Sequence, residues 1–398
     1  MIAALTRIVR DVGDAEDLAQ DAFVYALAQW PETGIPRNPG AWLMSVAKRR
    51  AIDRFRHREV QERTHRQLAA DPLRSPFDEI DLESVDEIGD DLLRLIFIAC
   101  HPVLSMDARV ALTLRLLGGL TTTEIARAFL VPEATVAQRI VRAKRTLSEA
   151  RVPFEVPDAA DRRARLSAVL EVIYLVFNEG YSASGGGDVL RPELCEDALR
   201  LGRVLAELVP DESEVHGLVA LMELQASRMR ARVDSAGEPI LLLEQDRGRW
   251  DYLLIRRGLA ALERARRLDA ALGPHGLQAA LAAVHAVART PAETDWTRLA
   301  ALYDALVELL PTPVVRLNRA VAIGRAYGPQ AALALVDALA CEPALQTYHL
   351  LPSVQGELLE QLDRFDEARA AFERAARLAA NARTRGVLEQ RAKKVRSL

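Results

Sequence analysis

Hydroxyl, amide and guanidinium side chains recur at helical spacing in one stretch of the chain. They belong to Thr135, Gln138, Arg139, Arg142 and Arg145. Residues three or four apart lie on the same side of a helix. An arginine can donate two parallel hydrogen bonds to guanine, a glutamine can pair in the same way with adenine, and further basic groups hold phosphates. The spacing therefore predicts a helix that reads base pairs in the major groove of DNA.

Two short helices joined by a tight turn are predicted to position this surface. Thr121–Thr123 supply an N-cap and Glu124 can close a capping box, so the first helix should begin there. Pro132 ends this helix and lies near the start of the second, whose Ile140 and Val141 are expected to face inward. The pair is typical of a helix-turn-helix. The alternative interpretation is a two-helix hairpin with a solvated charged face.

A second basic helix is predicted from Ala41 to Arg58. Its candidate nucleic-acid contacts are Trp42, Lys48, Arg49, Arg50, Arg54 and Arg56. Aromatic rings interleaved with basic groups suit a nucleic-acid backbone together with an unstacked base. This helix is therefore a second candidate surface for nucleic acid.

The helix predicted before it, Asp14 to Trp30, has an acidic and amide-bearing outer face. Asp17, Gln20 and Asp21 form that face. A polar helix face is most often only solvated. These three residues alone therefore assign no partner.

The composition favours an all-α protein. Half of the 398 residues are hydrophobic and only 5% are aromatic, while strand-like alternation is scarce. The formal net charge is −4, so a role with nucleic acid depends on local basic patches rather than on overall charge. Cys100, Cys195 and Cys341 lie far apart without metal-ligand spacing, which indicates buried thiols in a reducing cytoplasm.

No motif for catalysis or for a bound cofactor is found in the sequence. There is no nucleophile elbow, phosphate-binding loop, dinucleotide turn or metal-spaced set of histidines and cysteines. We therefore expect no enzyme activity, no cofactor and no metal. No apolar run reaches spanning length and no signal peptide opens the chain, so a cytoplasmic location is expected.

Three motifs follow one another in a defined order. They are DAEDLAQDAF (Asp14–Phe23), AWLMSVAKRRAIDRFRHR (Ala41–Arg58) and LGGLTTTEIARAFLVPEATVAQRIVRAKRTL, which contains the helix-turn-helix. An acidic stretch separates the second from the third. In this order the motifs resemble an extracytoplasmic-function (group IV) bacterial sigma factor, over the part of the chain that ends near Leu147.

The resemblance implies a role for each motif. The first, with Asp17, Gln20 and Asp21, would dock on the clamp helices of the RNA polymerase β′ subunit. The second would melt and read the −10 element of promoter DNA, and the third would read the −35 element and touch the β flap. Many members of the family carry an asparagine where this chain has Arg49, so the identity of the flipped base is not implied.

The order of these parts predicts five segments. They are region 2 at 1–66, a flexible acidic linker at 67–90, the region 4 helix-turn-helix at 91–152, a regulatory helical domain at 161–290, and tetratricopeptide-like helical repeats at 291–398. Pro153 and Pro157 mark the junction before the fourth segment. The expected fold class is therefore all-α throughout.

The last repeat is predicted over Tyr348–Ala380. Gly356 and Phe372 are placed there much as in a tetratricopeptide repeat, in which small residues let two helices approach closely. Two interpretations remain for the repeats. They form either a concave surface that binds a regulatory protein or peptide, or a scaffold whose groove is filled by its own chain.

Two polar clusters interrupt the helical pattern of the C-terminal half. They consist of Asn178, Glu179 and Tyr181 before a glycine-rich loop, and of Asp246, Arg247 and Trp250 before another helix. These side chains either line a pocket for a small ligand or hold one domain against another. Alternatively, Gly180 is simply a left-handed helix cap and its polar neighbours are solvated.

The chain as a whole resembles the long sigma factors whose genes often accompany YCII-related small proteins. That resemblance implies that the helical tail modulates sigma activity within the same chain. The competing hypothesis is a polymerase-independent helix-turn-helix regulator whose tail senses a ligand or peptide. Such a regulator would bind duplex promoter DNA without RNA polymerase.

Overall fold

The computed structural model describes residues 1–65, 85–129, 131–181, 191–234, 240–379 and 382–395. The regular elements within these ranges are helices, which confirms the all-α prediction. The chain divides into two compact units, Met1–Pro210 and Asp211–Leu398. Within the described ranges, no helix is both long enough and apolar enough to cross a lipid bilayer.

Nine α-helices form the described part of the first unit. They are α1 (Ile2–Val9), α2 (Val12–Thr33), α3 (Pro39–His65), α4 (Val85–Ala99), α5 (Met106–Thr113), α6 (Thr122–Ala128), α7 (Glu133–Glu149), α8 (Ala159–Tyr181) and α9 (Pro192–Leu208). We refer to α1–α3 as the first module and to α4–α7 as the second module.

The first module has a hydrophobic core of its own. Its buried members all come from α1, α2 and α3, namely Leu5, Ala15, Leu18, Ala19, Ala22, Ala26, Leu43, Ala47 and Ala51. Four of these on α2 are alanines at helical spacing, which lets the neighbouring helices approach closely. The Asp11 side chain caps α2 by accepting a hydrogen bond from the Asp14 backbone N–H at 3.0 Å.

Both helices that flank the predicted acidic linker are longer than expected. α3 continues past Arg58, and α4 begins at Val85 rather than at Asp91. The linker prediction for 67–90 is therefore wrong for its last six residues, whereas 67–84 lie outside the described residues. Carboxylates stabilise the first turn of a helix through the helix dipole, so an acidic run does not exclude a helix here.

The helix-turn-helix begins with the predicted capping box. The Thr121 hydroxyl accepts a hydrogen bond from the Glu124 N–H at 3.2 Å, and the Glu124 carboxylate accepts one from the Thr121 N–H at 2.7 Å. Pro132 is the N-cap residue of α7. Before the capping box, α5 runs into a π-helical turn at Leu114–Gly118, and Gly119 follows in the left-handed region at φ 77°.

The helix pair α8–α9 belongs to the first unit, because it packs on α4, α5 and the π-helical turn. The junction predicted between the helix-turn-helix segment and a domain starting at 161 stays a prediction, since α8 and α9 contact the second module across it. α8 buries Val169, Val172, Ile173, Val176 and Phe177 almost completely. A helix with so many buried apolar residues has to be covered by other elements, which here include the second module.

The second unit contains nine further α-helices in its described residues. They are α10 (Ser213–Ala226), α11 (Tyr252–Leu268), α12 (Pro274–Val287), α13 (Trp296–Leu309), α14 (Pro313–Tyr327), α15 (Pro329–Leu339), α16 (Leu350–Gln361), α17 (Phe365–Leu378) and α18 (Ala382–Lys394). Each helix packs on the next one along the chain. Cys341, which follows α15, is exposed, so the prediction of a buried thiol is wrong there, whereas Cys100 and Cys195 are buried.

The division predicted at 290/291 stays a prediction, and α12 packs on α13 across it within the unit Asp211–Leu398. α16 and α17 approach each other closely at Gly356. A Cβ atom at that position would lie 2.9 Å from the Phe372 ring, so only glycine fits without a shift.

Candidate nucleic-acid and polymerase interfaces

α7 carries all five residues that were predicted to read the major groove. Gln138, Arg142 and Arg145 are exposed, whereas Thr135 and Arg139 are half-buried. Arg139 donates from Nη2 to Asp107 Oδ2 of α5 at 2.8 Å, and Arg145 pairs with Glu149 one turn further along α7 at 2.6 Å. Within the described residues, neither an ion pair nor a hydrogen bond involves the side chains of Gln138 and Arg142.

The opposite side of α7 packs into the protein. Val136, Ile140, Ala143 and Leu147 are buried. Val141 is 65% exposed, so the prediction that it faces inward is wrong. Its position, one residue after Ile140, places it beside Arg142 on the outer surface instead.

α3 positions the candidate residues for nucleic acid against α2. The Trp42 ring stacks on Tyr25 with centroids 5.9 Å apart and 9° between the planes, and its centroid lies 5.4 Å from that of Trp30. Trp42 is therefore held in an aromatic cluster. Tyr25 and Trp30 were not among the predicted site residues. The signal that could have identified them is their position as aromatic residues on α2, four and nine residues after Asp21.

Two of the basic residues on α3 are engaged by one carboxylate of α2. Arg50 and Arg54 each lie 3.1 Å from Asp21 Oδ2, and the Arg50 guanidinium lies 5.9 Å from the centre of the Tyr25 ring. The cationic side chains of this surface are therefore partly neutralised within the first module.

The three remaining basic candidates on α3 differ in exposure. Arg49 and Arg56 are exposed, while Lys48 is half-buried. Burial, and then the charge of Arg7, lower the pKa of the Lys48 ammonium below its usual value. Of these three candidates, Arg49 and Arg56 are accordingly the ones that water reaches most freely.

α2 presents an acidic and apolar outer surface. Asp17 and Gln20 are exposed, whereas Asp21 is half-buried against the arginines of α3. Phe23, Val24 and Leu27 of the same helix are more than half exposed, and Leu27 reaches 76%. Exposed apolar residues rimmed by polar ones mark a protein interaction surface.

Glu16, one residue before Asp17, was not predicted as a site residue. It is only 5% exposed, and it binds Arg115 Nε at 2.7 Å and Lys144 Nζ at 2.5 Å. Burial alone would raise the pKa of Glu16, but the hydrogen bonds and charges of Lys144 and Arg115 outweigh burial and lower it. We call Glu16, Arg115 and Lys144 the Glu16 triad.

A second buried ion pair joins the two modules. Asp91 of α4 is 2% exposed and accepts from Arg7 of α1 at 3.4 Å and from Arg94 of its own helix at 2.9 Å. Arg7 is far from Asp91 in the sequence, and Arg94 lies outside the recognised motifs. No spacing rule could therefore have identified these partners.

α8 and α9 also contact the second module through arginines. Arg165 donates to the Phe97 carbonyl at 3.2 Å, with its guanidinium 5.9 Å from the centre of the Phe97 ring. Arg200 donates to the carbonyls of Leu117 and Gly118 at 3.1 and 3.3 Å. A cation at the end of a helical segment satisfies its last carbonyls, here directly before the helix-turn-helix.

The cluster of Asn178, Glu179 and Tyr181 ends α8. Glu179 pairs with Arg191 at 3.0 Å, and the Gly180 carbonyl accepts from the Arg191 N–H at 2.7 Å, so these contacts join the end of α8 to the N-cap residue of α9. Tyr181 stacks on Phe177 with centroids 5.5 Å apart. A role of this cluster in ligand binding stays a prediction.

The cluster of Asp246, Arg247 and Trp250 lies in the second unit. Asp246 caps a short turn by accepting from the Gly248 N–H at 2.9 Å, while Arg247 donates to the carbonyls of His285 and Ala288 and lies 4.9 Å from the Trp250 ring centre. Burial, and then the charges of Arg228 and Arg247, lower the pKa of His285 to about 4. The hydrogen bonds of Arg247 hold this cluster to the end of α12, and a ligand there stays a prediction.

Three family models match the sequence. Residues 1–60 match "Sigma-70 region 2", residues 94–147 match "Sigma-70, region 4", and residues 165–266 match a family of unknown function, DUF6596. The two sigma matches coincide with the helices that carry the candidate nucleic-acid residues.

Curated relatives match either almost the whole chain or about a third of it. The chain is 46% identical to the uncharacterized protein R00370 of Rhizobium meliloti over 96% of this chain and 90% of that protein. It is 30% identical to the ECF RNA polymerase sigma factor SigK of Mycobacterium sp. (strain KMS), over 34% of this chain and 69% of that protein. For the ECF RNA polymerase sigma factor SigC of Mycobacterium tuberculosis, the identity is 29% over 34% of this chain and 70% of that protein.

Among solved structures, the crystal structure of yeast Tom70 has a TM-score of 0.32 at 12% identity, over 96% of this chain and 80% of that one. A TM-score this low does not establish a shared fold.

Proposed function

The chain belongs to the family of ECF RNA polymerase sigma factors, and from this premise we propose that it directs core RNA polymerase to specific promoters and initiates transcription there. The roles proposed for individual residues rest on one observation. α2, with its acidic and apolar surface, and α3, with its basic and aromatic surface, share one core, while α7 presents a separate amide and guanidinium face.

In this proposal α7 reads the −35 element. Gln138 and Arg142 face water without competing partners in the described part of the chain, so their donors are available to base edges. Thr135, Arg139 and Arg145 flank them and would contact bases or phosphates.

α3 is proposed to melt and read the −10 element. Flipping a base from the stack costs a few kcal/mol, which aromatic stacking and phosphate contacts offset. Trp42 lies in an aromatic cluster, and Lys48, Arg49, Arg50, Arg54 and Arg56 supply the positive charge beside it.

α2 is proposed to dock on the β′ clamp helices of the polymerase through Asp17, Gln20 and Asp21. The exposed Phe23, Val24 and Leu27 extend this surface, because a stable protein interface combines an apolar centre with polar groups. The β flap is proposed as a second polymerase contact, made by the second module.

The C-terminal helices are proposed to regulate the activity of the sigma modules. The tight contact of Gly356 with Phe372 supports tetratricopeptide-like pairing of α16 and α17. The proposed partner of these helices is a regulatory protein or peptide.

The test of the docking assignment is the substitution Asp17→Lys. Asp17 is exposed and is the cleaner choice, since Asp21 also holds two arginines of α3. We expect loss of co-elution with core RNA polymerase and loss of run-off transcription. Glu32→Lys, an exposed carboxylate fifteen residues further along the sequence, near the other end of α2, is the matched control.

Failure of the unaltered protein to co-elute with core polymerase would contradict the proposal. Binding of duplex promoter DNA by the protein alone, as tightly as with polymerase, would support a polymerase-independent regulator instead. A gel shift with and without core enzyme separates these two outcomes.

A further inference from the structure

Arg247 is a buried cation of the second unit that uses only part of its hydrogen-bonding capacity. It is 8% exposed, and its Nη1 donates to the carbonyls of His285 and Ala288 at the end of α12. Its Nε and Nη2 are buried as well, yet they donate to no acceptor among the described residues. A buried donor without an acceptor is costly, so a bound group that accepts from it is stabilised.

The two unpaired donors form one edge of the guanidinium plane. The N–H groups on this edge of an arginine are parallel, and they match the two oxygens of a carboxylate. The two carbonyls that accept from Nη1 of Arg247 fix the orientation of this plane in advance. Little side-chain freedom is therefore lost when an anion binds to the edge.

Trp250 adds a further unpaired donor beside Arg247. It is 4% exposed, and its indole Nε1 has no hydrogen-bond partner in the described part of the chain. The centre of its ring lies 4.9 Å from the Arg247 guanidinium and 6.0 Å from the Arg228 guanidinium. Two cations therefore lie close to this indole. We call Arg228, Arg247, Trp250 and His285 the Arg247 cluster.

The charge balance of the Arg247 cluster favours an anion. Burial, and then the charges of Arg228 and Arg247, lower the pKa of His285 to about 4, so its ring is neutral at neutral pH. The charge of Glu293 acts on Arg247, but both oxygens of this carboxylate accept hydrogen bonds from residues 289–290. Two guanidinium groups and one carboxylate leave a single positive charge. A monoanion would neutralise it.

The depth of Arg247 favours a small ligand. Asp246, Gly248 and Arg249, its neighbours in the sequence, are exposed, so the guanidinium lies directly beneath the surface. A small anion can reach such a group when a short turn moves, whereas a folded partner cannot. A carboxylate has one charge and two oxygens in one plane, and thus matches a single arginine edge more closely than a phosphate group does.

We propose that the Arg247 cluster binds the carboxylate of a small organic acid. Nε and Nη2 of Arg247 would donate two parallel hydrogen bonds to it, and the indole N–H of Trp250 is a further donor. Binding of a carboxylate here goes beyond the role proposed at promoters and does not depend on it.

The experiment titrates the full chain with sodium acetate and follows the tryptophan fluorescence, because Trp250 belongs to the cluster. Sodium chloride at the same ionic strength measures the general effect of salt. Sodium phosphate, matched in the same way, measures the preference for a carboxylate. We expect a saturable change of fluorescence with acetate and no saturable change with chloride or phosphate.

Two variants remove the donors separately. Arg247→Lys keeps the charge but loses the pair of parallel donors, so the affinity for acetate should fall about tenfold. Trp250→Phe keeps the ring and removes its N–H, so the affinity should fall less, by about threefold. Because Trp250→Phe also removes the fluorescent group, affinity in the variants is measured from the rise in unfolding temperature with acetate relative to chloride.

Each variant has a matched control. Arg249→Lys makes the same change at an exposed arginine two residues from Arg247. Trp296→Phe makes the same change at a neighbouring ring, which contacts His285 edge-on at 5.7 Å between ring centres. Both controls should bind acetate as tightly as the unaltered protein does.

Equal responses of the unaltered protein to acetate and chloride would overturn the proposal. A stronger response to phosphate than to acetate would overturn the assignment of a carboxylate. Unchanged acetate affinity in folded Arg247→Lys would also overturn it. Should Arg247→Lys fail to fold, because Arg247 also binds the end of α12, Trp250→Phe decides, and unchanged affinity in that variant overturns the proposal.

Discussion

The two modules differ in whether the basic residues of their nucleic-acid surfaces are already ion-paired. They also differ in whether their own helices are enough to form the hydrophobic core. The first module has its own core, yet the basic residues Arg50 and Arg54 of its surface are bound to Asp21. The second module exposes Gln138 and Arg142 freely, yet its helices α4 and α5 are covered by α8 and α9. The surface of the second module can contact duplex DNA without a change in side-chain contacts. The surface of the first module can use Arg50 and Arg54 only after a partner separates them from Asp21.

The largest expected effect tests the dependence of the second module on α8–α9. A chain truncated after Val152 loses the contacts of Arg165 with Phe97 and of Arg200 with the turn before the helix-turn-helix. Exposing apolar side chains such as Phe97 costs about 1.5 to 3 kcal/mol each. We expect hydrogen exchange to accelerate in α4–α7 and to stay slow in α1–α3.

A chain truncated after Pro210 keeps α8 and α9 and is the control. Equal protection of α4–α7 in both truncated chains would show that the second module is complete without the extension. The difference between the two truncated chains also matters for transcription assays. In a chain that ends near Val152, loss of regulation could not be told apart from loss of folding.

The sequence revealed the helix-turn-helix because its determinants are local. Thr121, Glu124 and Pro132 lie within one turn of the elements they cap or end, so spacing alone identifies them. The same holds for the residues on the outer face of α7. The exception is Val141, which was predicted to face inward beside Ile140 but is exposed.

The contacts between modules could not be predicted in this way. Glu16 lies 99 residues from Arg115, and in sequence it is one more carboxylate on an acidic helix. The membership of α8 and α9 in the first unit was hidden for a related reason. Prolines at 153 and 157 indicated a domain junction, whereas the apolar surface of α8 is covered across that junction.

The second prediction tests the aromatic cluster of the first module. Trp42→Ala removes a ring that contacts both Tyr25 and Trp30, and loss of a large packed side chain costs about 3 kcal/mol, less where it is half-exposed. Trp42→Phe keeps part of the stacking and should lose less. We expect a lower unfolding temperature and slower promoter opening for the alanine variant.

A decrease in promoter opening without any decrease in stability would show that Trp42 acts only on DNA. Permanganate footprinting of the melted region, compared with thermal unfolding of the free protein, distinguishes this result from the combined loss.

The third prediction compares two arginines on α7. Arg142→Ala should weaken discrimination at the −35 element by about 1 to 3 kcal/mol while leaving stability unchanged, because the side chain makes no hydrogen bond or ion pair in the described part of the chain. Arg139→Ala removes an ion pair with Asp107 as well, and should cost a further 0 to ~1 kcal/mol of stability.

The measurement is holoenzyme binding to the native promoter and to one with a substituted −35 element. If Arg142→Ala weakens binding to both DNAs equally, then Arg142 contacts only phosphate, and the assignment of base reading passes to Gln138.

The smallest expected effect tests the ion pairs that neutralise the basic surface of the first module. Asp21→Asn removes the charge that Arg50 and Arg54 share, and since these partly exposed pairs contribute only about 0 to 1 kcal/mol each, the fold should persist. Freeing Arg50, and leaving Arg54 with only its longer pair to Asp14 at 3.9 Å, should strengthen binding of the holoenzyme to single-stranded −10 DNA and steepen its salt dependence, by up to about 0.7 per added phosphate contact. Because Asp21 is also a proposed docking residue, the holoenzyme is formed at saturating core polymerase, so that weaker docking does not mask the gain. An unchanged salt slope would mean that Arg50 and Arg54 stay with the first module when DNA binds, and that the contrast between the two surfaces lies in their shape rather than in their available charge.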